Sequence, residues 1–477
     1  MMDRNFMLLA DLLSEADNAR LLSEGNWGLE KEAQRVTDSG DLALTPHPSV
    51  FGDKLENPHI TTDFAESQIE MITPPLKSAE QTLAYLEKLQ SEVEAGIGNE
   101  MLWPMSMPPR LPEEDKIPLS SFNNTEEGRE KEAYRSSLAV RYGRKMQMIS
   151  GIHYNFSFGD NMLNLLYERL GKEKERRTFI NEVYFALIRN FLRYRWLLIY
   201  LFGASPAADS SYFPVIRNEF GIISRCCPEC CSSFEAYDSY STSLRVSRFG
   251  YTNISKGKNE VYYDSLGEYI TKLRKLLNDR VLQKESEFYS SIRPKQVPGK
   301  GETMLKALED RGVRYLEVRI FDLNPFERCS IDSGQFMFLQ VFMLFCLFEE
   351  SRRIDKNEMV KINKNHHLAA LSGRMPGLKL NDHDGGTVGL KEWGSEIFGR
   401  LEQLARMLDR GKPGSGFLFS VENERRKLVD PELLPSSQML REMGENVESF
   451  LDFGIRRAKE NSNVNKLSEV KGNVDRL

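Results

Sequence analysis

Apolar and polar positions recur along this chain with two different periods. A spacing of three to four residues marks helices over about 3–24, 78–97, 127–148, 161–171, 175–203, 264–283, 333–355 and 391–410. Residues 27–32, 68–72, 152–158 and 315–320 alternate at every second position instead and read as strands. Between them, 103–118 holds Pro104, Pro108, Pro109, Pro112 and Pro118, which remove backbone donors and make that stretch a loop. No internal repeat and no long Gly/Ser linker divides the chain. The expected organisation is one catalytic-sized unit over 1–460, with the polar 461–477 a frayed tail.

The polar faces of the strands carry the chemistry. Glu30 and Glu32 project together from 27–32, with Cα atoms about 6.5–7 Å apart on a strand. Gln68 and Glu70 share a face opposite Ile69 and Met71. His153, Asn155 and Ser157 oppose four apolar residues, and Glu317 and Arg319 oppose Leu316, Val318 and Ile320. For one strand alone, a half-solvated sheet explains such a pattern. Four together point to a lined cavity, because a solvated face mixes Lys with Glu, whereas these faces offer His and Asn.

Carboxylates gathered in a cavity need a cation. Two of them about 5 Å apart repel by roughly 3 kcal/mol at an effective dielectric near 20. Hard divalent cations suit oxygen donors, so Glu30, Glu32, Asp63, Glu70 and Glu317 with His153 fit Mg²⁺ or Mn²⁺ better than zinc. Arg319, two residues from Glu317, adds a fixed positive charge of the kind a transferring phosphoryl group requires.

Composition narrows the classes. The 477 residues can bury a large core, and a formal net charge of -6 argues against nucleic acid or an anionic membrane as partner. The N-terminus interrupts its apolar residues with acids and reads as an amphipathic helix, not a signal peptide, so a cytoplasmic protein is expected. Residues 184–201 and 336–348 look membrane-like, but the first carries three arginines and the second is short of the roughly 20 residues a bilayer requires. Cys226, Cys227, Cys230 and Cys231 include one C-x-x-C spacing without a second ligand pair nearby, a weak metal or redox signal beside the plainer reading of a variable loop. No Walker loop, dinucleotide fingerprint or kinase signature is present. Pro298-Gly299-Lys300-Gly301-Glu302 fits a phosphate-approaching loop and a plain turn equally.

A set of segments resembles the bacterial-type glutamate–cysteine ligases (γ-glutamylcysteine synthetases), in the same order over about residues 20–330. They are Gly28-Leu29-Glu30-Lys31-Glu32, Ile60-Thr61-Thr62-Asp63-Phe64-Ala65-Glu66, Ile149-Ser150-Gly151-Ile152-His153-Tyr154-Asn155-Phe156-Ser157, Phe202-Gly203-Ala204-Ser205-Pro206-Ala207, Thr242-Ser243-Leu244-Arg245-Val246-Ser247, Gly250-Tyr251-Thr252-Asn253, Ile292-Arg293-Pro294-Lys295, and Tyr315-Leu316-Glu317-Val318-Arg319 with Asp322-Leu323-Asn324-Pro325-Phe326. The resemblance implies an α+β fold of the glutamine-synthetase-like superfamily, with a curved, mainly antiparallel sheet forming a funnel under many helices. It implies a ligase that phosphorylates the γ-carboxyl of glutamate with ATP, after which the cysteine amine displaces phosphate to give γ-glutamylcysteine, the first step of glutathione biosynthesis.

Carried onto this chain, the resemblance makes Glu30, Glu32, Asp63, Glu70, His153 and Glu317 the set for Mg²⁺ or Mn²⁺, and Arg319 the residue that steadies the phosphoryl group. It makes Arg245 a clamp for a substrate carboxylate, and Gln147, Ile149 and Asn155 the glutamate region. Tyr134, Tyr251 and Tyr289, with Phe64 and Leu138, become the cysteine pocket. Some relatives add an ATP-grasp domain; with the chain ending at 477 the dipeptide is the expected product. The alternatives are a related ligase with another amine acceptor and a non-catalytic metal or nucleotide sensor. The oligomeric state stays open and is compatible with a monomer.

Overall fold

The computed structural model describes residues 11–12, 16–218, 240–250, 260–383 and 385–474. Tyr251 and the Cys226 to Cys231 cluster lie outside the described residues.

All four period-two segments form strands, and they are neighbours. β1 (Gly25–Val36) is twelve residues long and forms the spine of a seven-stranded sheet in the order β2 (Ile60–Thr62), β3 (Gln68–Ile72), β1, β5 (Ile152–Phe158), β7 (Tyr315–Phe321), β6 (Ile292–Lys295), with β4 (Met101–Leu102) beside the end of β1. Every pairing is antiparallel. The sheet is open: it ends at β2 and β6, so its cavity is completed by helices and loops and not by strand closure. Pro294 falls in β6, an edge strand, where the missing N–H breaks no ladder. A separate hairpin joins β8 (Lys379–Asn381) to β9 (Thr387–Gly389).

Several helices begin at side-chain caps. Ser78 accepts from the Gln81 N–H before α2 (Ala79–Gly96), and Thr125 from Gly128 before α3 (Glu126–Tyr142). The periodicity placed α2, α5 (Arg176–Phe202) and α10 (Leu390–Gly411) to within two residues. Elsewhere it ran on too far. The helix expected to reach 148 stops at Tyr142, where Gly143 takes a φ of 81°, and Lys145–Met148 forms a separate 3₁₀ turn. The 161–171 segment is α4 (Asp160–Leu166) followed by a π turn, and the 264–283 segment is α6 (Leu266–Asn278). The helix expected over 333–355 ends at Phe348 as α8 (Ser333–Phe348). A further helix that the pattern did not reveal, α9 (Lys356–Ser372), starts at the Asp355 cap. Of the first expected helix, α1 (Ala16–Leu22) is described.

The apolar face of the sheet lies under α8. The Phe336 ring packs edge-on against Trp27 of β1 at 6.3 Å and Tyr154 of β5 at 5.1 Å. Both membrane-like stretches are core helices, and among the described residues no helix is long and apolar enough to cross a membrane. The glycine-rich 298–302 segment is a surface turn in which Glu302 accepts from the Gly299 N–H and pairs with Arg311, away from the sheet's polar face.

Candidate active site

Side chains directly opposite on neighbouring strands share a face, so the register decides which polar groups meet. Glu32 stands opposite Glu70, Glu30 opposite His153, Asn155 opposite Glu317, and Glu317 opposite Arg293. The register slips once. Ile152 pairs with Phe321 but Tyr154 with Val318, so Arg319 and Ile320 both oppose His153. This β-bulge turns Ile320, expected with Leu316 and Val318 on the covered face, into the wall of the cavity.

The cavity over this face measures about 340 Å³. His153 is its pivot: Nδ1 lies 3.0 Å from Glu30 Oε2 and Nε2 lies 3.7 Å from Glu32 Oε1. Asn155 does not line the cavity but donates to Glu30 Oε1 at 2.9 Å. Glu30, Glu70 and His153 each offer a donor atom, and these lie within 4.8 Å of one another. Glu317 sits on the other side. Lys295 Nζ and Arg319 Nη1 are each 3.3 Å from its Oε1, and Arg293 Nη1 is 3.7 Å from its Oε2.

These neighbours set the protonation of each acid. Burial raises Glu70 well above the ordinary carboxylate value, and the charges of Glu30, Asp63 and Glu32 raise it further. Burial likewise raises Glu32, with Asp63 adding to it. Burial also pushes Glu30 upward, but the His153 hydrogen bond and the His153 and Lys295 charges outweigh it and leave Glu30 below its ordinary value. Glu317 is held far below by Lys295, Arg319 and Arg293 despite its burial. Arg319, partly buried, is held more firmly protonated by Glu317, Glu32 and Glu30. Oxygen donors with one imidazole, crowded enough that Glu70 is held toward its protonated form, suit a hard divalent cation.

The remaining expected residues surround this centre. Asp63 and Phe64 follow β2, and Tyr134 and Leu138 reach in from α3; all four line the cavity. Tyr289 joins them, and the Tyr134 hydroxyl accepts from Ser286 at 3.1 Å. Gln147 and Ile149 line it as well, with the Ile149 carbonyl bound by Gln68 at 3.1 Å. Arg245 Nη2 donates to the Arg319 carbonyl at 3.1 Å, and Nη1 lies 3.8 Å from Asp322. It crosses Gly151 so closely that a Cβ there would fall 1.9 Å from the guanidinium.

Four lining cations had received no role from sequence. Arg293 and Lys295 carry the period-two signal across Pro294 in a segment too short to read as a strand. Arg135 of α3 donates to the Asp63 and Thr62 carbonyls. Arg195 projects from α5, a helix buried almost all round, where periodicity cannot single out a face.

The glutamate–cysteine ligase family model matches residues 10–278 and 274–369. The glutamate–cysteine ligase of Clostridium acetobutylicum is 51% identical over 95% of this chain and 99% of its own length. This chain belongs to the glutamate–cysteine ligase family. The Pseudomonas entomophila glutamate–cysteine ligase is 40% identical over 95% of this chain and 88% of its own. Among solved structures, the glutamate–cysteine ligase of Francisella tularensis in complex with AMP superposes with a TM-score of 0.81 at 29% identity, over 92% of this chain and 88% of that one. A bifunctional glutathione synthetase from Pasteurella multocida follows at 0.78 and 29% identity, over 96% of this chain and 54% of that one. The α+β class and the antiparallel sheet under helices in this family member are those that the resemblance implied.

Proposed function

We propose that this chain joins the γ-carboxyl of glutamate to the amine of cysteine at the expense of ATP, through γ-glutamyl phosphate. The observation that carries the reading is the division of one cavity into an acid-rich side, Glu30, Glu70 and His153, and a cation-rich side, Lys295, Arg293 and Arg319 around Glu317. A carboxylate is a poor electrophile, and phosphorylation converts its oxygen into a good leaving group. Mg²⁺ or Mn²⁺ held by Glu30, Glu70 and His153, with Glu32, Asp63 and Glu317 beside them, would neutralise the ATP phosphate oxygens.

Arg319 and Lys295 face the phosphoryl group as it leaves ADP, where fixed positive charge lowers the barrier without reorganisation. The cysteine amine then attacks the acyl carbon, the bond to phosphate breaks, and phosphate departs with the electron pair as the nitrogen loses a proton. Tyr134, Leu138, Phe64 and Tyr289 form the wall for cysteine, and Arg245, whose Nη1 has no hydrogen-bond acceptor, clamps a substrate carboxylate. A reaction that consumes ATP and a reduced thiol supports the cytoplasm as its compartment.

The test is phosphate release from ATP with Mg²⁺, glutamate and a panel of amino acids, with hydroxylamine present in a parallel reaction. Fastest release with cysteine or 2-aminobutyrate, together with γ-glutamyl hydroxamate, is expected. Faster release with another amine moves the chain to a related ligase, and no release leaves the sensor reading.

A further inference from the structure

Helix α3 carries part of the cavity wall, yet it is barely packed against the protein. Of its 17 residues, Gly128 and Leu138 are the buried ones, whereas α5 is buried almost all round. Polar contacts hold it instead. Near its middle, Arg135 donates to the Thr62 and Asp63 carbonyls. Its C-terminal half faces the segment 281–289. Ser137 donates to the Gln283 side-chain carbonyl, Ser286 donates to the Tyr134 hydroxyl at 3.1 Å, and Arg141 Nη2 donates to the Val281 carbonyl at 2.8 Å. Residues 134, 138, 141 and 142 recur at helical spacing and share that face.

Glu287 is the centre of this seam, with no exposed surface. Its Oε1 accepts from Arg141 Nη1 and, at 2.8 Å, from the Tyr142 hydroxyl. Its Oε2 accepts from the Gln283 N–H at 2.5 Å, which closes the 3₁₀ turn Glu285–Glu287. Burial and the bond to Glu287 push the Tyr142 phenol up to about 12, so it stays a donor. The other side of the segment is pinned to the sheet, because Arg293 of β6 donates to the Ser286 and Phe288 carbonyls. Glu287 therefore joins a fixed segment to a lightly held helix. Tyr134 and Leu138 on the helix, and Ser286, Phe288 and Tyr289 on the segment, line the cavity; Glu287 does not. A helix with few buried apolar contacts opens at low cost, so the width of this end of the cavity depends on the seam.

Building on the ligase reading, we infer that Glu287 is a positioning residue: through Arg141 and Tyr142 it seats α3 on the segment 281–289 and so fixes the room left for the side chain of the amine acceptor. Discrimination between acceptors is then set from behind the wall as well as by the residues that face the ligand. A seated helix rejects an acceptor with a longer side chain, and a loosened one admits it.

The test reads the helix and the selectivity separately. Glu287→Gln places an amide N–H against either the Arg141 and Tyr142 donors or the Gln283 N–H, so one side of the seam fails whichever way it turns. Arg141→Met removes the helix's share. In hydrogen exchange on the full chain, peptides across 126–142 should exchange about tenfold faster or more in both variants, and peptides across β1 and α5 should stay within about twofold of wild type. In the ligase assay, KM for 2-aminobutyrate should rise about tenfold, with KM for glutamate and ATP within about twofold. The wild type should favour 2-aminobutyrate over norvaline, one methylene longer, by about tenfold or more in kcat/KM, and both variants should fall below about threefold. Arg141→Lys should keep part of that preference, and the double variant should do no more than the stronger single one, since both break one contact. A merely structural role would slow both acceptors alike and leave their ratio unmoved. Unchanged exchange across 126–142 in Arg141→Met overturns the assignment, as does faster exchange with the wild-type acceptor ratio. Should Glu287→Gln not fold, Arg141→Met carries both readouts, because the Arg141 side chain is 30% exposed and its loss leaves Glu287 with the Tyr142 and Gln283 donors. If the chain proves not to ligate, exchange still reports whether Glu287 seats α3, so the two failures are separable.

Discussion

Glu70, partly buried, and Glu317, buried, are carboxylates on the same face of one sheet, yet their surroundings are opposite. Glu317 meets Lys295, Arg319 and Arg293 within 3.3 to 3.7 Å and is held ionised. Glu70 is surrounded by the acids Glu30, Asp63 and Glu32 and is held toward its protonated form. One half of the cavity therefore supplies its own counter-charge, and the other half borrows it. Ionised Glu317 ties β6 to β7, whereas ionising Glu70 works against the charges of its neighbours.

The sharpest way to break this contrast is to neutralise each acid. Glu317→Gln leaves the buried Arg293 and the partly buried Lys295 and Arg319 without their shared partner, and removing one member of a buried pair costs about 3–5 kcal/mol. We expect a large loss of stability by urea unfolding and a fall in kcat of about 10³-fold. Glu70→Gln should lose about 10²- to 10³-fold in kcat while its stability stays level or rises, because repulsion is relieved. From the sequence both classes of acid look alike, each a member of one cluster of repelling carboxylates. Equal stability changes in Glu317→Gln and Glu70→Gln would remove the distinction.

That difference marks where sequence reading stops. Alternation at every second residue is local, so it correctly grouped Glu30 with Glu32, His153 with Asn155 and Glu317 with Arg319. Register is not local. Nothing within 152–158 or 315–320 announces that Arg319 and Ile320 share one opposing residue, or that Glu317 lies beside β6. Lys295 was hidden for a related reason: the polar faces seemed poor in lysine because a four-residue edge strand containing proline does not look like a strand. The helix boundaries failed where a capping residue sets the end, at Gly143 after α3, and where one sets a start, at Asp355 before α9, the helix that carries His366. The family motifs recovered Arg245, which no periodicity would have found, because its position depends on Gly151 leaving it room.

Divalent cation gives the next test of the contrast. A ligand that binds only the folded state at 100 times its dissociation constant stabilises by about 2.7 kcal/mol. Adding Mg²⁺ to the nucleotide-free enzyme should therefore raise unfolding stability by about 2–3 kcal/mol, and Glu70→Gln or His153→Ala should lose most of that gain. Lys295→Met should retain it, since Lys295 faces the half that is already balanced. A Mg²⁺ response lost in Lys295→Met and preserved in Glu70→Gln would invert the assignment of the two halves.

The smallest effect is in the pH dependence, and its sign separates the two acids. An acid whose folded pKa is raised binds its proton more tightly in the folded state. The stability it contributes is complete below the unfolded value near 4.5 and is lost as pH rises through the folded value. Glu70 and Glu32 belong to that class. Glu317 is the reverse: its contribution is present above 4.5 and lost as pH falls toward its depressed folded value. One proton is worth at most about 1.4 kcal/mol per pH unit. With chelator present, the wild type should lose about 1–2 kcal/mol more than Glu70→Gln between pH 5 and 8, as measured by urea unfolding. Mg²⁺ should reverse that slope in the wild type, because the metal binds the ionised carboxylates whose repulsion caused it. Parallel profiles for wild type and Glu70→Gln in chelator would mean that Glu70 is already compensated, and the contrast with Glu317 would disappear.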